Sequence, residues 1–208
     1  IPVHINLSFP AFAIDWNEVQ EKINDRTRMI MVNTPHNPTV SVLCESDMKR
    51  LQALAEQHDL IVLSDEVYER IIFDEIAHES VLKYPGLADR SVAVFSFGKT
   101  FHATGWKVGY AVAPAPISQE IRKAHQFINF SVNTPVQMAL AEYMTNPSHY
   151  RHLGKFYQQK RDYFLEQIQG SGFRVMPCHG SYFQLLGYEG LSDKPDREMA
   201  EWMTKEHG

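Results

Sequence analysis

The residue of this sequence best placed for covalent chemistry is Lys99, in Ser96-Phe-Gly-Lys-Thr100, directly behind the apolar run Val92-Ala-Val-Phe95. That run reads as a buried strand. A lysine is rarely set at the end of a core strand, because burying its charge is costly. An amine in such a place can lose its proton near neutral pH and act as a nucleophile. Taken alone, Lys99 could equally be a lysine whose stem lies along apolar surface while its amine reaches water. Other polar residues fall at the ends of apolar runs. Asn37 follows Arg28-Met-Ile-Met-Val-Asn33, Asp65 and Tyr68 follow Leu60-Ile-Val-Leu63, and Lys107 follows Lys99 by eight positions. Each has a plain alternative: a turn residue before proline for Asn37, a helix N-cap for Asp65, a core aromatic for Tyr68, and a surface cation beside Trp106 for Lys107.

The elements that must position these residues follow from the hydrophobic pattern. Strand-like Ile1–Leu7 comes first, then a helix start at Asp15-Trp-Asn-Glu18 with Asp15 as N-cap. Residues 28–33, 60–63 and 92–95 read as strands buried on both faces, with a helix over about 46–58 between the first two. Strand and helix alternate, so the sheet is expected to be mostly parallel, with helices on both faces and polar residues at the carboxyl ends of the strands. Residues 108–113 form another strand-like run. The connection from the preceding strand is short and holds Gly105, so this strand is expected to be antiparallel. Helices are expected over about 116–127, 134–143 and 147–169. Strands at 173–175 and 182–186 and a helix over 196–207 complete the chain. The fold class is therefore α/β: a mostly parallel sheet with one antiparallel strand, plus the start of a small α+β domain. The expected division is 1–146 in a large domain, 147–170 as an interdomain helix and 171–208 as the incomplete small domain. Ends that fall between paired elements suggest a piece of a longer protein.

Bulk properties narrow the function. The net charge of −5 argues against general affinity for nucleic acid or anionic membrane. The two cysteines, Cys44 and Cys178, match no metal or redox spacing, as expected for free thiols in a cytoplasmic setting. The ten histidines form no H-x-x-x-H or H-E-x-x-H pair, so no metal site is expected. No apolar run has the length of a membrane span.

The motifs together resemble the fold-type I, class I aminotransferases, in particular the subgroup of methionine and kynurenine aminotransferases. The likeness is carried by Asn33-Thr-Pro-His-Asn-Pro-Thr39, Ser64-Asp-Glu-Val-Tyr68, Ser96-Phe-Gly-Lys-Thr-Phe101, Thr104-Gly-Trp-Lys-Val-Gly109 and Gly180-Ser-Tyr-Phe183. The resemblance implies pyridoxal 5'-phosphate (PLP) as cofactor, held by Lys99 as a Schiff base. It implies that Asp65 pairs with the pyridine nitrogen, Asn37 and Tyr68 bond the phenolic oxygen, and Ser96 and Lys107 hold the phosphate. Lys99, Asp65 and Tyr68 would then be the catalytic group, and the substrates an amino acid, methionine or aromatic, and a 2-oxo acid. A homodimer is implied, with Phe130 near the partner's site; ordinary core packing is the alternative for Phe130.

The motif departs from the family at Val40, where a glycine is usual. If that glycine has positive φ, valine should force a different turn. No residue matches the arginine that binds the substrate carboxylate. The same residues would also serve a C–S β-lyase, and a non-catalytic PLP-fold module is a further alternative. A Schiff-base lysine on an aldolase-like barrel fits the predicted elements poorly. The 208 residues alone are expected to bind PLP weakly and not to turn over.

Overall fold

A computed structural model describes residues 1–207. Strand β1 (Leu7–Ser8) pairs antiparallel with β2 (Ala13–Ile14). Helix α1 (Trp16–Lys22) follows, with the Asp15 side chain accepting from the Asn17 and Glu18 amides. Then come β3 (Met29–Asn33), α2 (Glu45–Gln57), β4 (Ile61–Asp65), the short α3 (Pro85–Ala88), β5 (Ser91–Ser96) and α4 (Phe97–Thr100). The remainder is β6 (Gly109–Val112), α5 (Ala115–Ile128), α6 (Thr134–Tyr143), α7 (Leu153–Gln167), β7 (Arg174–Val175), β8 (Leu186–Gly187) and α8 (Asp196–His207).

The central sheet has the order β3-β4-β5-β6. The first two pairings are parallel and β5–β6 is antiparallel, as the short connection predicts. The α/β class and the single reversed strand are borne out. One face of this sheet carries the main core: Val32, Val62, Ala93 and Phe95 pack with Met48, Leu51 and Ala55 of α2 and with Leu87 of α3. On the opposite face Met29, Met31 and Ile61 are exposed, so the helices of this chain cover one face and leave the other open. A second core, of Val40, Tyr68, Ile71, Phe73, Leu153 and Cys178, joins the segment after β4 to α7 and the segment before β8.

Five expectations need correction. The helices expected on both faces of the sheet cover one face only, because α2 and α3 pack on the Val32, Val62 and Phe95 side while Met29 and Met31 on the other stay exposed. Only Leu7–Ser8 of the N-terminal strand-like segment pairs, because Pro2 lacks an amide donor and the earlier residues meet no neighbouring strand. The helix expected over 147–169 is two pieces, a 3-10 turn at Pro147–His149 and α7. Asn146 caps the first piece, and Tyr150 packs into the second core between them. The strand expected over 182–186 shrinks to β8, because Ser181 sits at φ 68° and Tyr182 and Phe183 are drawn into an aromatic cluster with Tyr68. Val40 does not force a different turn. It takes the left-handed conformation itself, at φ 60°, with its side chain fully buried.

Candidate active site

The sheet register sets the site. Asn33 lies beside Asp65, Asp65 beside Val94, and Ser96 beside Gly109. Successive residues of a strand point to opposite faces, so Asn33, Asp65 and Ser96 share the open face at one end of the sheet. That end holds the carboxyl termini of the three parallel strands, where ligands of such sheets bind.

The Asn37 loop is tied to the sheet by Asn33. Its Nδ2 donates to the Asp65 carbonyl at 2.9 Å and its Oδ1 accepts from the Asn37 amide at 2.8 Å. Asn37 itself is exposed, and its side-chain amide makes no hydrogen bond among the described residues. Asp65 is not a helix cap. It ends β4, its Oδ1 accepts from the Val67 amide at 3.2 Å in a turn, and Oδ2 is left without a partner among the described residues. Lys99 is three residues beyond the end of β5, in the single turn of α4. Gly98 is required there, since a Cβ would lie 2.9 Å from the Thr104 Cα.

The Lys99 amine donates to the Tyr182 hydroxyl at 3.0 Å and sits 5.6 Å from the Tyr68 ring centre and 5.7 Å from that of Tyr182. The two rings meet edge to face at 5.3 Å, and Tyr68 donates to the Tyr182 hydroxyl at 3.4 Å. Burial, the hydrogen bond to Tyr182 and the Asp65 charge push the Tyr68 phenol well above its usual range. Burial also acts to raise Tyr182, but the hydrogen bonds from Tyr68 and Lys99 outweigh it and hold that phenol below its usual range.

Ser96 stands one residue before α4, with its hydroxyl free of hydrogen bonds among the described residues. Lys107 is exposed, in a left-handed conformation at φ 56°, and makes no direct contact with Lys99, Tyr68 or Asp65 among the hydrogen bonds and ion pairs of the described residues. Phe130 is exposed, so core packing within this chain does not explain it.

Sequence reasoning assigned no chemical role to Tyr182 or to Glu66. The motif Gly180-Ser-Tyr-Phe183 marked the place of the first, but its meeting with Lys99 spans 83 positions of chain. Glu66 is fully buried and receives Ser64 Oγ at 2.9 Å, the Val81 amide at 3.1 Å and a His78 contact at 2.8 Å. Its position between Asp65 and Tyr68 was the available signal.

An amine on a strand-end turn, a carboxylate with a free oxygen and a phenol are gathered at the end of a mixed sheet, the kinds of group that covalent capture of a carbonyl compound requires. The profile of the class I and II aminotransferases matches residues 1–208, and the chain belongs to that family. It is 50% identical over 200 residues to the methionine aminotransferase of Escherichia coli (strain K12), covering 96% of this chain and 52% of that protein. It is 33% identical over 217 residues to kynurenine--oxoglutarate transaminase 1 of Rattus norvegicus, covering 93% and 51%. Among solved structures, YbdL from Escherichia coli, described as having a methionine aminotransferase function, superposes with a TM-score of 0.94 at 49% identity, over 97% of this chain and 53% of that one. N-succinyldiaminopimelate aminotransferase from Mycobacterium tuberculosis superposes with a TM-score of 0.89 at 28% identity, covering 99% and 53%. The chain spans about half the length of the curated relatives it matches.

Proposed function

We propose that the protein carrying this chain is a PLP-dependent aminotransferase that moves the amino group of methionine or an aromatic amino acid to a 2-oxo acid. The observation that carries the reading is the Lys99 amine set against Tyr68 at the strand ends that also hold Asp65. The polar set fits PLP: Asp65 Oδ2, the Asn37 side-chain amide, the Ser96 hydroxyl and the Lys107 amine are all free of protein hydrogen bonds among the described residues. The 50% identity to a methionine aminotransferase and the 33% identity to a kynurenine transaminase support the substrate class.

Bound PLP supplies an electron-withdrawing ring that makes the α-proton of an amino acid removable. Lys99 would hold the cofactor covalently, and its Nζ is the group that would carry that proton. Asp65 keeps a proton on the pyridine nitrogen through its charge. Asn37 and Tyr68 would hydrogen-bond the phenolic oxygen, Ser96 would donate to the phosphate, and Lys107 would meet it as a point charge. In this reading residues 1–146 belong to the large domain, 147–170 connect, and 171–208 begin the small domain. The protein works in the cytoplasm as a homodimer, and the exposed Phe130 lies near the partner's site. No helix among the described residues is long and apolar enough to cross a membrane.

The test is peptide mapping of the full-length protein after incubation with PLP and borohydride reduction. A phosphopyridoxyl group on Lys99 is expected; an unmodified Lys99 overturns the reading. Lys99→Ala should lower the rate of 2-oxo acid formation from methionine by at least about 10²-fold, measured with a coupled assay.

A further inference from the structure

We propose that Tyr182 is a positioning residue for Lys99: its hydroxyl, braced by Tyr68, fixes the direction in which the Lys99 amine meets the cofactor aldehyde. The inference rests on the aminotransferase reading and adds to it a residue from the far end of the chain.

A lysine stem is long and flexible, and ordering it costs rotamer freedom. Something must hold the amine if it is to attack from one side. Among the described residues its one hydrogen-bond partner is Tyr182, at 3.0 Å. The amine lies in the corner made by the two rings, 5.6 Å from the centre of Tyr68 and, beyond the hydroxyl edge, 5.7 Å from that of Tyr182. Tyr182 is itself fixed. Its ring packs on Tyr68, on Phe183 at 4.9 Å and on Tyr157 at 5.7 Å.

The backbone that presents Tyr182 is stitched down just before the ring. The Ser181 amide donates to the Ile71 carbonyl at 2.8 Å, the Phe73 amide to His179 at 3.0 Å, and the His179 amide to Val40 at 3.2 Å. Gly180 permits this approach, since a Cβ would lie 2.8 Å from the Ile71 carbonyl oxygen and 3.0 Å from the Pro35 ring. The segment is thus keyed into the loops that carry Asn37 and Tyr68. The lowered phenol range of Tyr182 agrees with a hydroxyl that accepts from two donors.

The test uses the full-length protein with Tyr182→Phe, which removes the hydroxyl and keeps the ring. PLP is stripped and re-added, and covalent capture is followed by stopped-flow absorbance. In capture the amine nitrogen forms a double bond to the aldehyde carbon. Its two hydrogens leave with the aldehyde oxygen as water. The expected result is capture slowed about tenfold, the factor carried by one hydrogen bond at the upper end of the ordinary range, with an unchanged melting temperature. With substrate, kcat falls while KM for the amino acid stays. A capture rate equal to the parent's overturns the positioning role while leaving the aminotransferase reading intact. A slower rate that comes with a lowered melting temperature assigns Tyr182 to packing and also overturns it. Failure of the parent itself to capture PLP at Lys99 removes the aminotransferase reading, and this inference with it.

Discussion

Val40 shows what one residue can be made to bear. A β-branched side chain at φ 60° is a steric outlier, and a left-handed L-residue costs about 1–2 kcal/mol. The side chain offsets that cost by complete burial against Tyr68, Ile71 and Phe73. Its carbonyl also receives the His179 amide, so the strained residue links the Asn37 loop to the segment before Tyr182. Glycine here would lose the burial and relieve the strain. Val32 is also buried, but in regular strand, where glycine relieves nothing. Val40→Gly should therefore cost about 1 kcal/mol less than Val32→Gly, as read from urea unfolding. Equal costs would show that Val40 stores no strain.

Among elements, the stretch from β4 to α3 is tied by the Glu66 carboxylate. It reaches Ser64 in the strand, His78 in the following loop and the Val81 amide at a 3-10 turn. Its own amide donates to the Val94 carbonyl of β5 at 2.9 Å. Removing the carboxylate strands several buried partners, so Glu66→Ala should destabilise the protein by roughly 2–4 kcal/mol and Glu66→Gln by less, measured by denaturant midpoint. Burial alone pushes the Glu66 carboxyl up, but the His78 contact and the hydrogen bonds it receives outweigh this and hold it below its ordinary 4.5. The folded carboxyl is then the stronger acid. Its contribution is complete above pH 4.5 and is lost as the pH falls through the lower folded value. Unfolding midpoints followed from pH 6 to about pH 3 should fall more steeply in the parent than in Glu66→Gln.

At the scale of the molecule, the unpartnered surfaces dominate. Met31 is 67% exposed on the open sheet face, and Phe127, Ile128 and Phe130 around the end of α5 are 79–86% exposed. Apolar area of this kind drives association. The 208-residue chain expressed alone should elute from size exclusion as concentration-dependent larger species, and should bind PLP weakly without turnover. A stable monomer with transaminase activity would contradict both expectations. The α7 helix contributes a different kind of order. Arg161 grips Asp74 with both arms at 2.6 and 2.7 Å and reaches the Cys178 carbonyl at 2.9 Å, fastening the second core across three segments.

The local chemistry of this protein is legible in its residues alone. Runs such as Leu60–Leu63 and Val92–Phe95, short, rich in branched residues and alternating with helical stretches, read as strands of an α/β sheet. The short connection after Lys99 leaves room only for a reversed strand, and strand ends are where Asp65, Ser96 and Lys99 must fall. These follow from periodicity and reach, which are properties of neighbouring residues. What needed the tertiary structure was every relation between distant segments. Tyr182 meets Lys99 only because Gly180 lets two backbones touch, and Val40 keeps a left-handed turn only because a core assembled from three segments pays for it. The tail strand over 182–186 was misjudged for the same reason: its β-prone residues are claimed by an aromatic cluster with Tyr68, a long-range packing term that outweighs local propensity.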